Sequence, residues 1–277
     1  MNSFHSFVSL FFMLVTNVQH GLSDEPLSTR PIEELLYDKM TEMNLNIQKV
    51  FERLDKNEAD AERQNGEITR LFISGQKVLF VEELERDGWE MVFRASSSNG
   101  QNVHDAWTKG VGVSSYKPKS MARSYSNHYR NNIVSNWANI GVKYVKYAYY
   151  ENNQEVAYVI FNGAGSNINS WFDKRRVIAS SYTDLTATSS FNRFSIAGDY
   201  RPGSGERRFL INSHYGGCAK DLGHMVISEE EPPNNLCNWD NHPKYPQFLY
   251  SKINTIDYWG REMFGRADYM AIFIKSE

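Results

Sequence analysis

Residues 229–231 form the densest acidic run of the chain, and their carboxylates could bind a hard cation. Glu229, Glu230 and Glu231 are consecutive, and Ca²⁺ binds to several carboxylate oxygens at once. The alternating ligand positions of an EF-hand loop are absent, and prolines follow at 232 and 233. A solvated turn explains the run better than a calcium site does. We therefore predict no metal ligands and no cofactor, with calcium as the weaker alternative.

A basic run beside two aromatic residues is the second chemical feature. Lys174, Arg175 and Arg176 follow Trp171 and Phe172. Cationic side chains beside exposed aromatic faces could bind an anionic glycan. An ordinary exposed loop explains the same residues without a ligand, and this second interpretation is favoured.

The chain carries no local motif for catalysis. The histidines that follow the first 23 residues show neither His-x-His nor His-Glu-x-x-His spacing, so the sequence indicates no zinc site. These histidines are His104, His128, His214, His224 and His242. The Gly-x-Ser-x-Gly sequence of a nucleophile elbow is also absent. We predict no catalytic residues and a surface or structural role for each histidine.

The cysteines of the chain are Cys218 and Cys237. In an extracellular protein an even number of cysteines favours pairing, and we predict a disulfide between them. A bridge that closes a loop of about twenty residues stabilises the fold by about 3 kcal/mol, through the entropy that the unfolded chain loses. Two free buried thiols are the alternative. Metal ligation is less favoured, because no Cys-x-x-Cys pair is present.

The first 23 residues have the composition of a secretory signal peptide. They contain no Lys, Arg, Asp or Glu, and Phe7 to Val18 form an apolar run of suitable length. Small residues at Gly21 and Ser23 offer cleavage points. The alternative is a membrane anchor, but the run is short and interrupted for crossing about 30 Å of hydrocarbon. We predict a secreted, extracellular protein with no membrane contact.

An unbroken heptad pattern runs from Leu36 to Leu71. Seam positions alternate at spacings of four and three residues, as a coiled coil requires. Pro31 suits the first turn of a helix, and Gly75 suits the position that follows its end. The pattern predicts a coiled-coil helix whose oligomerisation residues are Leu36, Met40, Met43, Ile47, Val50, Leu54, Ile68 and Leu71.

The middle of this seam is weakly apolar, because Asn57, Ala61 and Gln64 occupy three consecutive core positions and two of them are polar. Polar residues at such positions cost stability, and they can fix register and oligomer number. The sequence has no second heptad segment that could cover the seam. We therefore predict a homo-oligomer, with a trimer preferred over a dimer. The alternative is a single amphipathic helix that lies on the rest of its own chain.

The chain after residue 88 predicts a mainly β domain. Trp89, Met91 and Phe93 are expected on one face of a strand. Residues 142–150 and 155–162 predict two strands joined by an Asn-rich turn. Further strands are expected at 193–197, 207–211, 224–227, 247–252 and 270–275, and a helix within 128–140. Short strands between turn residues favour an antiparallel β-sandwich or a barrel-like head.

These features divide the chain into consecutive segments. We predict a signal peptide over 1–23, a linker over 24–31, the coiled-coil helix over 32–74, a connector over 75–87 and the β-rich globular domain over 88–277. The formal net charge of −3 divides into −7 for residues 24–87 and +4 for residues 88–277. A surplus of +4 over so large a domain is too dilute to indicate nucleic-acid binding.

Several stretches after residue 88 resemble a known family. They are 89–95 (WEMVFRA), 162–172 (NGAGSNINSWF), 194–198 (FSIAG), 207–211 (RRFLI), 215–227 (YGGCAKDLGHMVI), 237–239 (CNW), 248–252 (FLYSK) and 267–274 (ADYMAIFI). In these stretches the chain is similar to secreted invertebrate extracellular β-rich domains, among them the uncharacterized skeletal organic matrix proteins of corals and molluscs. The resemblance implies a secreted matrix or ligand-binding module without a transferable catalytic motif. The layout of leader, stalk and head also resembles C1q-like and fibrinogen-like proteins, and layout alone does not fix function.

Three hypotheses for the function follow. The first is a non-catalytic extracellular oligomer, in which the stalk multiplies the weak binding of the heads to glycans or matrix. The second is a carbohydrate-binding lectin whose aromatic loops stack on sugar rings. The third is a secreted enzyme, conceivably oxidative and luciferase-like, that acts on a small aromatic substrate in the β domain. A closed pocket with a buried ionisable group of strongly shifted pKa would favour the third.

Overall fold

The computed structural model describes residues 30–73, 75, 78–121, 127–200, 206–230, 237–260 and 263–276. The predicted signal peptide and residues 24–29 of the predicted linker lie outside the described residues. The chain divides into two compact units, Met1–Leu54 and Asp55–Glu277. Within the described ranges, no helix combines the length and the apolar character that a membrane span needs.

The heptad segment forms one long helix, α1 (Arg30–Ile73). Gly75 follows it with φ +70°, a left-handed backbone conformation that glycine adopts without strain just after a helix. The helix begins two residues before the predicted start at 32 and ends one residue before the predicted end at 74. Whether α1 pairs with other copies stays a prediction.

The rest of the described chain is mainly antiparallel β structure, as predicted. Its strands are β1 (Glu90–Ser96), β2 (Tyr129–Arg130), β3 (Val142–Glu151), β4 (Gln154–Asn162), β5 (Val177–Ser180), β6 (Arg193–Ser195), β7 (Asp199–Tyr200), β8 (Glu206–His214), β9 (Leu222–Ser228), β10 (Gln247–Ser251), β11 (Asp257–Tyr258), β12 (Phe264–Ala267) and β13 (Tyr269–Ser276). Two short helices, α2 (Val81–Leu84) and α3 (Val103–Lys109), precede and follow β1.

The strands form two sheets with a shared core. One sheet has the order β2-β1-β13-β3-β4-β5. The other has the order β12-β10-β9-β8-β6, with β11 paired to β9 and β7 paired to β8. Buried side chains from both sheets pack in one apolar cluster, among them Phe93, Tyr147, Phe161, Phe209, Met225 and Phe248. This arrangement is that of a β-sandwich, in which the inner faces of two sheets supply the core.

The hairpin predicted from the Asn-rich turn is confirmed. Strands β3 and β4 pair antiparallel, with Glu151 opposite Gln154. Asn152 and Asn153 between them have φ values of 51° and 61°. A two-residue turn with positive φ at both positions matches the right-handed twist of the flanking strands, and Asn tolerates that backbone conformation.

The face predicted for β1 was wrong. The pairing of β1 with β13 shifts between Met91 and Phe93. Phe93 packs in the large core, whereas Met91 packs with Trp89 and Phe273 in a separate apolar cluster. A bulge inserts one extra residue into a strand, so side chains on its two sides no longer alternate as the sequence suggests.

The helix predicted within 128–140 is only partly present. Its first residues form β2, and Asn132–Asn139 form a 3₁₀ turn. Asn131 begins this turn, because its side-chain oxygen accepts a hydrogen bond from the backbone N–H of Ile133 (3.0 Å). Side-chain capping of this kind satisfies an N–H group that has no partner within the turn.

The predicted disulfide is confirmed between Cys218 and Cys237, whose Cα atoms lie 5.1 Å apart. Both cysteines belong to a small apolar cluster with Trp239 and Trp259, whose ring centroids are 4.5 Å apart. Disulfides form and persist mainly in oxidising compartments. The bridge therefore indicates an extracellular or otherwise oxidising environment.

Candidate functional site

The C-terminal part of α1 packs against the β structure of the second unit through polar side chains. Asn57 accepts a hydrogen bond from Ser114 Oγ (2.9 Å) and donates one to Ser115 Oγ (3.1 Å). Gln64 is only 4% exposed and accepts a hydrogen bond from the backbone N–H of Lys119 (2.9 Å). The two polar seam residues thus bind their own chain. This corrects the expectation that they set the register of an oligomer.

Buried charges lie at the same contact. Asp60 is buried, and its Oδ1 lies 3.6 Å from the guanidinium of Arg63. Burial raises the pKa of Asp60, and the positive charges of Arg63, Lys56 and Arg94 act against that rise. Arg94 is itself buried, with its guanidinium 4.4 Å from the ring centroid of Tyr269. Charges removed from water in this way need partners, and the opposite charges of Asp60 and Arg94 attract each other at this contact.

Two of the predicted oligomerisation residues are also covered within the second unit. Ile68 and Leu71 pack with Val78 and Phe80 in a small apolar cluster. Leu71 is buried, and Ile68 is partly buried. Their place in the heptad pattern is therefore explained by their own chain.

The helix of the first unit presents an exposed apolar face. The exposed fractions of Met43, Ile47, Val50 and Leu54 are 49%, 45%, 52% and 54%. Met40, on the same face, is partly exposed, and the side chain of Leu36 lies outside the described part of the structure. A contiguous row of half-exposed apolar side chains is unusual on a monomeric soluble protein and marks an interaction surface. We call the row of seam positions 40, 43, 47, 50 and 54 the free seam.

The basic run lacks the aromatic surface that glycan binding would need. Trp171 and Phe172 are buried in the large core. Arg175 pairs with Asp173 at 2.6 Å. Arg176 donates hydrogen bonds to backbone carbonyl oxygens of the β4–β5 connection. The run forms a 3₁₀ turn (Lys174–Arg176) held by contacts within its own chain, where the sequence favoured an ordinary exposed loop.

The acidic run differs from the solvated turn that we predicted. Glu231 lies outside the described residues; Glu230 is exposed, but Glu229, which directly follows β9, is buried. Glu229 Oε1 accepts a hydrogen bond from the backbone N–H of His104 (2.7 Å), and Oε2 has no partner among the described residues. Burial raises the pKa of Glu229 to about 8. Within the described ranges, no cluster of three or more His, Cys, Asp or Glu side chains could hold a metal ion.

Two histidines are buried in structural positions. His128 Nδ1 lies 3.1 Å from the backbone nitrogen of Ser96, and its Nε2 lies 3.0 Å from the carbonyl oxygen of Gln101. Burial lowers the pKa of His128 to about 4. His224 Nε2 lies 2.9 Å from Asp184 Oδ1, and burial lowers the pKa of His224 as well. Both imidazoles are therefore neutral at physiological pH and serve as fixed hydrogen-bonding groups.

A cleft of about 280 Å³ lies between α3, the β4–β5 connection and the end of β6. Its lining is mixed aromatic and polar: His104, Asn169, Ser170, Phe172, Asp173, Phe194, Ser195, Ile196 and Ala197. Burial lowers the pKa of His104, and the positive charge of Arg208 lowers it further, while Asp105 and Glu206 raise it. A neutral imidazole, an amide and a carboxylate beside an aromatic ring suit a small, uncharged, hydroxyl-rich ligand.

Sequence reasoning missed this cleft, because three separate segments build it. Asn169 and Asp173 lie on one connection, Phe194 lies on β6, and His104 lies on α3. No local spacing links these positions. The buried carboxyl of Glu229 accepts a hydrogen bond from the backbone N–H of His104 on α3, but Glu229 is not among the residues that line the cleft.

No family model, no curated protein and no solved structure matches this chain. The family resemblance drawn from the sequence accordingly stays an expectation. The free seam, the cleft and the disulfide are the features of the chain that bear on its function.

Proposed function

We propose that this protein is a secreted, non-catalytic homo-oligomer whose β-rich heads bind extracellular ligands. The observation that carries the proposal is the exposed apolar face of the free seam. Full burial of one aliphatic side chain contributes about 1.5–3 kcal/mol, so covering four half-exposed ones contributes on the order of 4 kcal/mol per chain. The disulfide supports the extracellular part of the proposal, because disulfides form and persist mainly in oxidising compartments.

Oligomerisation gives a binding head its affinity in this scheme. A single head with a small cleft binds weakly, because few contacts offset the entropy lost on binding. Several heads on one assembly bind a repetitive glycan or matrix surface together, and the second contact forms at a high effective concentration. The proposal thus connects the free seam with the heads without any catalytic step.

Sedimentation equilibrium of the secreted protein at micromolar concentration tests the proposal. We expect a mass above that of one chain, and Ile47→Glu should reduce it to one chain by placing a charge in the seam. Ile178→Glu is the matched control, because Ile178 on β5 is 54% exposed and lies outside the seam. A monomeric natural protein under these conditions would overturn the proposal.

Carbohydrate binding at the cleft is a second candidate. It is favoured by the polar side chains of His104 and Asn169 beside the ring of Phe194 in one cleft. A glycan array, probed with and without calcium, should show binding that His104→Ala and Asn169→Ala weaken at least tenfold. His214→Ala is the control, because His214 is an exposed histidine that does not line the cleft. An array without a single bound glycan would refute this candidate.

The enzyme hypothesis draws less support from the cleft. Its distinguishing feature is a strongly shifted ionisable group inside a closed pocket. Glu229 has such a shift, but its carboxyl lies outside the lining of the cleft. We therefore assign no catalytic residue.

A further inference from the structure

The outer face of the six-stranded sheet carries a row of polar and aromatic side chains near one end of its strands. Lys275 on β13 pairs with Tyr144 on β3, and Tyr144 pairs with Asn162 on β4. Residues that pair directly across antiparallel strands project from the same face of the sheet. Val145, which follows Tyr144, packs in the core between the sheets, so the row points away from that core. Asn162 is exposed, and the other two side chains are partly exposed.

Two further basic side chains adjoin this row. Lys143 Nζ lies 5.8 Å from the ring centroid of Tyr144. Arg176 donates a hydrogen bond to the backbone oxygen of Asn162 (3.0 Å), which places its guanidinium at the β4 end of the row. We call Lys143, Tyr144, Asn162, Arg176 and Lys275 the Tyr144 patch.

The three cations of the Tyr144 patch keep their charge available for a ligand. Carboxylates elsewhere on β4 and on the β4–β5 connection have other partners, because Glu155 pairs with Lys146 at 2.6 Å and Asp173 pairs with Arg175 at 2.6 Å. Within the described ranges, the cations of the patch form no ion pair. A cluster of three such positive charges attracts anions, and dissolved salt screens that attraction.

The remaining chemistry of the patch suits a sugar polymer. The partly exposed ring of Tyr144 offers an apolar face on which a sugar ring can stack. Asn162 Oδ1 accepts a hydrogen bond from the backbone N–H of Ala164 (3.0 Å). Its side-chain N–H groups have no partner in the part of the chain that the structure describes, and they can donate to a hydroxyl group.

The length of the row favours a polymer over a small anion. The row crosses three neighbouring strands, and at about 4.8 Å between strands it is about 10 Å long. Positive charges lie at both of its ends, Lys275 on β13 and Arg176 beyond β4. One small anion cannot contact both ends, whereas a chain with repeated negative groups can.

We propose that the Tyr144 patch binds an anionic polysaccharide, one that carries sulfate or carboxylate groups. This inference rests on the part of the proposed function in which the heads bind extracellular ligands, because it names a ligand class and a surface for them. The surface is separate from the cleft, since no residue of the patch lines the cleft. Arg176 is the member of the basic run that takes part, and its aromatic partner comes from β3 in place of the buried Trp171 and Phe172.

Binding of the full secreted chain to immobilised heparin, a sulfated polysaccharide, tests the inference by surface plasmon resonance. We expect binding that weakens as the salt concentration rises. Dextran, a neutral polysaccharide, and poly-glutamate, an anionic chain without sugar rings, should each bind at least about tenfold more weakly. Heparin is the probe, and the natural polysaccharide is defined here only by its chemistry.

A charge reversal in the patch locates the site. Lys143→Glu should weaken heparin binding at least about fivefold, because it removes one attraction and adds one repulsion. Lys252→Glu is the matched control, because Lys252 is an exposed lysine that follows β10 on the other sheet. The control changes the net charge by the same amount, and its heparin affinity should stay within about twofold of the natural protein.

The outcomes separate this inference from the proposed function. Equal losses in the two variants would mean that heparin binding follows net charge alone, and they would overturn the inference. Poly-glutamate binding as tight as heparin binding, or no heparin binding, would overturn it as well. In each of these cases a sedimentation mass above that of one chain leaves the oligomer standing. A monomeric protein that binds heparin through the Tyr144 patch would overturn the oligomer and support this inference.

Discussion

Replacement of the buried Glu229 by glutamine should make the protein more stable at neutral pH. Burial raises the pKa of this carboxyl from 4.5 to about 8 in the folded state. A raised pKa means that the contribution of the group to stability is fully present below pH 4.5. It is lost progressively as the pH rises through about 8, because the unfolded chain releases the proton first. Glutamine carries no proton to release and keeps the oxygen that accepts the hydrogen bond from the N–H of His104.

The size of the effect follows from the two pKa values. At pH 7 the folded carboxyl is mostly neutral. The unfolded carboxyl is ionised, because pH 7 lies about 2.5 units above its pKa of 4.5. At about 1.36 kcal/mol per unit, Glu229 costs about 3 kcal/mol at pH 7 and about 1 kcal/mol at pH 5. The amide nitrogen of glutamine would sit at the place of Oε2, which has no partner among the described residues. The protonated carboxyl carries a similar unpaired donor, so this cost largely cancels.

Urea unfolding at pH 5 and pH 7 measures the effect directly. Glu229→Gln should be about 1 kcal/mol more stable than the natural protein at pH 5 and about 3 kcal/mol more stable at pH 7. Glu230→Gln is the matched control, because Glu230 is the exposed neighbour in the same run. A Glu229→Gln protein that is less stable than the natural one at pH 7, or whose advantage does not grow with pH, would refute the reasoning.

Three further predictions concern the buried histidine, the docked helix and the free seam. Burial lowers the pKa of His128 to about 4, so about 3 kcal/mol of stability should be lost between pH 6.5 and pH 4; urea unfolding of His128→Gln should show a smaller loss. Gln64→Ala leaves the N–H of Lys119 without its acceptor, and calorimetry should show a destabilisation of about 1–3 kcal/mol. Val50→Glu should weaken self-association in sedimentation, because Val50 is 52% exposed in the free seam and the substitution places a charge among its apolar side chains.

Local sequence signals predicted the parts of the fold that local interactions decide. The spacing of apolar residues and Gly75 predicted α1 and its end. Asn152 and Asn153 predicted the β3–β4 hairpin, because few other residues tolerate positive φ at two successive positions. The two sheets and their strand order depend on contacts between distant segments, and the sequence indicated only that an antiparallel β fold is present.

The features that the sequence did not predict have a common physical origin. The bulge between Met91 and Phe93 arises from pairing with β13, so the alternation of residues in β1 alone could not show it. Glu229 is buried because β9 ends beside α3, a contact that its acidic neighbours do not encode. The cleft likewise combines residues of three segments. In each case the decisive neighbour is far away in sequence.

The helix α1 shows why an apolar pattern alone cannot name its partner. A heptad stripe indicates that something covers one face of the helix, and the same spacing serves a second copy or the remainder of the chain. The polar core positions Asn57 and Gln64 carry the missing information. Apolar neighbours would leave their amides unpaired at a considerable cost, so such residues persist where a specific polar surface meets them. Here that surface is the head. The polar interruption therefore marks the end of the seam that is left for other chains.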